Sequence, residues 1–279
     1  MKKLEDLKNR FLISSGIIIL LVSLIVFSDL MFMRYFIMLL MIALGYLVSW
    51  EFINLVKAKE IILHKTIFIG GVILEIISFF LFSQFEELRI LPVLFFLIFM
   101  IYLFFVNFRQ IENSILRISV SAFGFLYIAI PFGMLFPIIF LQDGQDGRLW
   151  VFYLIFVTKL TDIGGYFGGK LFGKRKLAEH ISPNKTIFGS ISGFVFAIAG
   201  SLFFLIFSKP NVFDLNFTQA ILLGVILSGF SQFGDLCESL LKRDAKMKDS
   251  STLPGIGGVL DMVDSLMFNI PIMYCYLLG

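Results

Sequence analysis

Charge is what this sequence has least of. Only 15% of its 279 residues are Asp, Glu, Lys or Arg, while 58% are hydrophobic and mean hydropathy is +0.94. Soluble domains carry about a quarter charged residues and nearer half apolar ones. Water could not cover this much apolar surface, and a bilayer can. Cysteine is almost missing too: Cys237 and Cys275 have no metal-ligand spacing and lie in or beside hydrophobic segments. That excludes a disulfide framework and leaves two inert thiols. The formal net charge of +3 is too small an excess to suggest nucleic-acid binding. No repeat with a period of about 20–50 residues, no low-complexity linker and no soluble-domain boundary is evident. Nor does a small-x-small cleavage site follow Lys2, Lys3, Lys8 and Arg10, so the apolar run 11–27 reads as an uncleaved first span rather than a secretory signal. Phe is abundant, at 36 residues, which suits lipid-facing helices without implying a function.

What is present is a succession of long apolar segments. A spanning helix needs about 20 mostly apolar residues, and the candidates are 11–27, 31–49, 66–83, 90–106, 118–141, 149–163, 187–207, 217–234 and 259–278. The expectation is an all-α, polytopic integral membrane protein of about nine helices, built as a single domain over 1–279. It divides into an N-terminal helical portion, 1–145, and a C-terminal portion, 146–279, that holds the polar loops 164–186 and 235–258. Pro131 and Pro137 predict a kink or break in the fifth span. The sixth span is short and carries Lys159 and Asp162.

Charge distribution orients these spans. With a cytosolic N-terminus, the segments 50–65, 107–117, 164–186 and 235–258 are also cytosolic. Of the 23 Lys and Arg residues, only Arg34, Arg89, Arg148 and Lys209 fall on the other side, and Lys159 lies within a span. This strong positive-inside bias predicts N-in, C-out, with both polar loops in the cytosol.

The first polar cluster covers 158–193. Asp162 closes a hydrophobic span, with Thr158 and Tyr166 a helical turn to either side. An ionisable residue at such depth usually faces protein or a water-filled cavity, although a Lys159–Asp162 pair that merely stabilises the bundle would also account for it. Gly189 and Gly193 form a small-xxx-small pair suited to close helix packing. Lys170, Lys174, Arg175 and Lys176 read as membrane-surface cations, and Lys185, after Pro183 and before the next helix, as the better phosphate contact. The stretches 164–170 and 168–174 both fit G-x-x-x-x-G-K, but Leu171 and Arg175 stand where a P-loop needs Ser or Thr, and neither follows a soluble strand. A Walker P-loop is therefore rejected.

The second cluster covers 232–266. Asp235, Glu238, Ser239 and Lys242 recur at i, i+3, i+4 and i+7, a polar stripe on one helical face. Arg243, Lys246, Lys248 and Asp249 follow, then a turn of Pro254, Gly255, Gly257 and Gly258, then a hydrophobic helix opening with Asp261, Asp264 and Ser265. A solvated helix end explains the first part alone. It does not explain carboxylates on both flanking helices around a basic, glycine-rich loop. Mg²⁺ takes a few carboxylates and keeps phosphate oxygens as further ligands, and Lys and Arg neutralise phosphate. The pattern points to metal-assisted phosphate chemistry. Glu75, within the third span, reads as a helix-packing hydrogen-bond partner.

This second cluster resembles the signature of phosphatidate cytidylyltransferases, also called CDP-diacylglycerol synthases, which runs S-x-x-K-R, K-D, P-G-H-G-G and L-D-R-x-D. The matching residues are Ser239, Lys242 and Arg243; Lys248 and Asp249; Pro254, Gly255, Gly257 and Gly258; and Leu260, Asp261 and Asp264. Gly234, Asp235, Leu236 and Glu238 also match. So do Asp162, Gly165, Tyr166, Phe172, Gly173, Lys174, Leu177, Ser182, Pro183, Lys185 and Thr186 of the first cluster. Trp50, Glu51 and Phe52 are similar to a weaker feature near the family's second helix. Ile256 stands in place of the usual His, Met262 in place of Arg, and the stretch from Asp249 to Pro254 is one residue short.

The resemblance implies transfer of a cytidylyl group from CTP to phosphatidate, giving CDP-diacylglycerol and pyrophosphate for phospholipid synthesis. The lipid phosphate attacks the α-phosphorus in line, so the protein supplies positioning and charge stabilisation rather than a nucleophile. Under this reading Asp235 and Asp261 hold Mg²⁺, with room for a second cation. Lys242, Arg243, Lys248, Asp249 and Asp264 are the catalytic set. Asp162, Ser182, Lys185, Thr186, Glu238, Ser239, Gly257 and Gly258 contact substrate. The expected setting is the inner cell membrane, with the site open to cytosol and bilayer; nucleic acid is not expected, and a homodimer is left open. Rival readings are a CTP-dependent polyprenol kinase, a CDP-archaeol synthase-like enzyme, an ion-coupled transporter using Asp162, Asp235 and Asp261, or a scaffold whose charges are packing pairs.

Overall fold

The computed structural model describes residues 26–28, 30–141, 144–210, 212–247 and 258–278. The expected first span at 11–27 lies almost wholly outside them. Every later expected span is helical: α1 (Met31–Lys57), α2 (Lys65–Gln84), α3 (Leu91–Asn107), α4 (Ser114–Ile139), α5 (Gly147–Phe172), α6 (Ile187–Phe203), α7 (Phe217–Asp244) and α8 (Val259–Leu278). Six described helices are long and apolar enough to cross a membrane. The remaining long helices, α5 and α8, are more polar, and both carry candidate site residues.

Helix α4 is the centre of the first half. Its side chains are buried on nearly all sides against α1, α2 and α8. The Phe52 ring of α1 lies over Gly124, and the Phe79 ring of α2 over Gly133, leaving no room for a Cβ at either position. Phe80 meets Phe136 edge-on, with ring centroids 5.4 Å apart. This packing explains why the helix is not broken at Pro131 or Pro137, as the sequence suggests it could be. Each proline removes one ladder bond, but neighbouring helices hold both flanks in place. In contrast α3 buries few residues and presents Val93, Leu97, Ile101 and Phe105 outward, as a lipid-facing helix should.

In the second half α5 and α6 form the most extensive helix pair. The glycines of the first polar cluster make that contact: a Cβ at Gly189 would stand 2.7 Å from the Gly165 carbonyl oxygen, the close backbone approach expected of small residues. Helix α7 packs on α6, and α8 packs between α7 and α4, joining the halves.

Three features differ from the sequence expectation. Helix α5 does not end near 163 but runs to Phe172, so much of the expected loop 164–186 is helical. The rest of it forms an antiparallel pair, β1 (Lys176–Ala178) and β2 (Ser182–Thr186), the only sheet among the described residues. Helix α7 likewise runs on to Asp244, so 235–244 is helix rather than loop. In both helices the polar stretch extends an apolar segment past the run that predicted it, and helical bonding needs no apolar side chains to continue. At the far end of α5, Arg148 grips the Asp146 carboxylate with Nε at 2.7 Å and Nη2 at 2.9 Å. Burial works against that charge, but these bonds win and hold the Asp146 carboxyl below its usual range.

Candidate functional site

Two lysine–carboxylate groups form around the polar end of α7. The first faces α5, β2 and α6. Lys185, at the end of β2, places Nζ 2.7 Å from Asp235 Oδ2 of α7. Ser239, a turn further along α7, lies 3.4 Å from Asp235 Oδ1. Asp162 of α5 is held by Lys159 at 3.3 Å and also feels the charges of Asp235 and Lys185. Asp162, Lys185 and Asp235 line a cavity of about 470 Å³, together with Gly165, Gly169, Asn184, Thr186, Ser190 and Gln232. Its small walls have a local cause, since glycines on α5 and α6 keep the two backbones close and leave the volume above them unfilled. Thr186 caps α6, its hydroxyl accepting from the Gly189 amide at 3.1 Å. Gln232 reaches from α7 to the Ser190 carbonyl at 3.3 Å and closes the far wall.

The second group faces α8. Lys242 Nζ lies 2.5 Å from Glu238 Oε2 and 2.5 Å from Asp261 Oδ1. Glu238 is fully buried, so its carboxylate depends on the Lys242 ammonium for charge compensation. Asp261 Oδ2 accepts the Gly258 amide at 3.1 Å. From α1, buried Glu51 accepts the Val259 amide on Oε1 at 2.9 Å and the Leu260 amide on Oε2 at 2.8 Å. The first amides of a helix have no partner within it, and here carboxylates take three successive ones. Asp264 is buried against α7, where its carbonyl faces Gly234. Its Oδ1 accepts its neighbour's Ser265 amide, and it lies within range of the Asp235 and Asp162 charges.

Most of the residues expected at the site are therefore gathered at one end of the molecule. Asp162, Lys185, Thr186, Asp235 and Ser239 belong to the open group, and Glu238, Lys242, Asp261 and Gly258 to the closed one. Arg243 ties the hairpin to α7 by donating from Nε to the Ile181 carbonyl at 3.1 Å. Ser182 sits opposite Ala178 in the strand pair and does not line the cavity. Lys248, Asp249, Pro254, Gly255, Ile256 and Gly257 lie outside the described residues. Glu75 differs from its expected role: it is fully buried in α2, yet neither oxygen has a hydrogen-bond donor among the described residues. The stretches that mimic a P-loop lie largely within α5, as a helix rather than a phosphate loop. Sequence reasoning missed Gln232 and Asn184 as lining residues and Glu51 as a partner of α8. Only the motif around Trp50 could have signalled Glu51.

The donor chemistry fits a hard cation. Asp235, Glu238 and Asp261 offer carboxylate oxygens on adjoining helices, and the Lys242 ammonium already stands as a cation 2.5 Å from both Glu238 Oε2 and Asp261 Oδ1. Among the described residues no three His, Cys, Asp or Glu side chains form a metal-holding group. A cation here would take fewer carboxylates and fill its shell with phosphate oxygens, as Mg²⁺ habitually does.

Comparison with known proteins bears on this arrangement. A family described as the cytidylyltransferase family matches residues 8–278. A phosphatidate cytidylyltransferase of Chlamydia muridarum is 40% identical over 166 residues, covering 57% of this chain and 54% of the relative. One from Staphylococcus haemolyticus is 38% identical over 168 residues, covering 60% and 59%. One from Bacillus subtilis is 44% identical over 132 residues, covering 47% and 48%. The chain thus spans about half the length of the curated relatives it matches.

Proposed function

The chain belongs to the cytidylyltransferase family, and from that premise we propose that it transfers a cytidylyl group from CTP to phosphatidate, releasing pyrophosphate and forming CDP-diacylglycerol. One observation carries the reading: a cavity lined by Lys185, Asp162 and Asp235 opens beside a part-buried Lys242–Glu238–Asp261 group on the same helix end. Phosphates need cations and dipoles placed before they arrive, because little covalent chemistry is asked of the protein. Lys185, half-covered and facing the cavity, is the group that would take a phosphate. Arg243, exposed at the hairpin, would take another. Lys242 is saturated by two carboxylates and acts instead by orienting Asp261.

Asp235 and Asp261 would hold Mg²⁺, with Glu238 adjoining, and the carboxylate supply admits a second cation. Bound there, the metal would neutralise charge developing on the phosphates. The protein residues do the rest. Asp162 and Thr186 shape the cavity wall, and Asp264 adds negative potential behind Asp235. The site faces the cytosol of a multi-pass inner-membrane protein of about nine spans with a cytosolic N-terminus; the positive-inside bias supports that orientation. Lys248 and Asp249 would belong to the catalytic set, and Gly257 and Gly258 would contact substrate. Nucleic acid has no place in this chemistry, and a homodimer is compatible with it.

The test is incorporation of labelled CTP into phosphatidate by detergent-purified protein, with and without Mg²⁺. Asp235→Asn and Asp261→Asn should each lower turnover by at least about 10³-fold, the scale of a lost electrostatic stabiliser, with helical content unchanged. Full activity in either variant would remove that residue from the metal site. Labelling of a polyprenol or an archaeal lipid phosphate in place of phosphatidate would move the substrate assignment.

A further inference from the structure

Glu51 stands in the N-terminal half, on α1, but its carboxylate ends in the site. Both oxygens are used on α8: Oε1 accepts from Val259 and Oε2 from Leu260, at 2.9 and 2.8 Å. The residue is 1% exposed, so these bonds are made away from water. A charged acceptor on buried amides makes stronger bonds than a neutral one, and a carboxylate at a helix N-terminus is further favoured by the helix dipole. Asp261, one residue past Leu260, takes the preceding Gly258 amide on one oxygen and Lys242 on the other. Three consecutive amides and one lysine are therefore placed by two carboxylates. Because Glu51 holds the first turn of α8, it sets where Asp261 and Asp264 stand relative to α7.

We propose that Glu51 is a positioning residue for the reaction: by capping α8 from α1 it fixes the carboxylate of Asp261 against Lys242 and the end of the glycine-rich loop at Gly258. The amides of Val259 and Leu260 are consequently not a phosphate cradle, since a buried anion of the protein already occupies them. Substrate phosphate would be met instead by side chains such as Lys185. The inference rests on the proposed cytidylyl transfer for its kinetic consequence, but not for its structural one.

The test uses the full chain in detergent and two near-isosteric variants. In Glu51→Gln one acceptor and the charge are altered but the reach is kept; in Glu51→Met both acceptors are lost. Hydrogen–deuterium exchange should rise at least about tenfold in peptides covering 258–264 of Glu51→Met and less in Glu51→Gln, with the β1–β2 hairpin unchanged; a tenfold rise corresponds to about 1.4 kcal/mol. Turnover should fall about 100-fold in Glu51→Met and about tenfold in Glu51→Gln, while KM for CTP moves less than about threefold. A merely structural role would lower the amount of folded protein and leave turnover per folded molecule at the wild-type value. That result, or wild-type exchange over 258–264 in Glu51→Met, overturns the proposal. Should the wild-type chain fail to transfer cytidylyl groups at all, the reaction assignment falls, and the exchange measurement still decides whether Glu51 holds α8.

Discussion

The two lysine groups on α7 are chemically alike and physically different. Lys185 and Asp235 are each partly open, 24% and 37% exposed at the side chain, and they look into a cavity. Lys242, Glu238 and Asp261 are packed between helices, with Glu238 at 1%. An open ion pair contributes little to stability, because water solvates its charges almost as well when they part. A buried one leaves a stranded charge when one member is lost. Under the proposed reaction the contrast separates tasks: the open pair would exchange its partner for an arriving phosphate, whereas the closed group cannot let go without disturbing the helices around it.

The comparison can be broken most sharply at Lys242. Lys242→Met leaves Glu238 and Asp261 facing each other without a cation. It should destabilise the protein by about 3–5 kcal/mol, the cost of a broken buried pair, and abolish turnover. Thermal unfolding in detergent and the CTP assay read both effects, and an unchanged unfolding temperature would mean the group is not closed. Lys185→Met should show the opposite balance. Turnover should fall about 100-fold, as for removal of one electrostatic contact, while stability changes by less than about 1 kcal/mol. Equal losses of stability in the two variants would erase the distinction. The smallest effect belongs to Lys59, whose pair with Asp244 joins the turn after α1 to the end of α7 at 2.9 Å with both side chains well exposed. Lys59→Ala should cost at most about 0.5 kcal/mol and vanish in high salt; a large salt-insensitive loss would show that this pair, too, is structural.

Much of the site could be read along the chain because its motif lies on consecutive turns of two helices. The stripe of Asp235, Glu238, Ser239 and Lys242 was legible from helical spacing. The stripe does not act as one unit, however. Asp235 turns toward β2 and the cavity, while Glu238 and Lys242 turn toward α8, because α7 is gripped on both sides. The resemblance puts Lys242 in the catalytic set, and the structure sets its ammonium between the carboxylates of Glu238 and Asp261. Glu75 shows the converse: a carboxylate in an apolar run suggests a hydrogen-bond partner on the next helix, yet none of the described neighbours supplies one.

By itself the sequence determined the environment, the order of the helices and the residue types at the site, since hydropathy and periodicity are local properties that need no knowledge of neighbours. Only the tertiary structure decided which lysine meets which carboxylate, how far α5 and α7 extend beyond their apolar cores, and that Glu51 caps a helix more than two hundred residues away. Partners in a low-dielectric interior are chosen by where packed helices bring their side chains, and that choice is written in no single stretch of the chain.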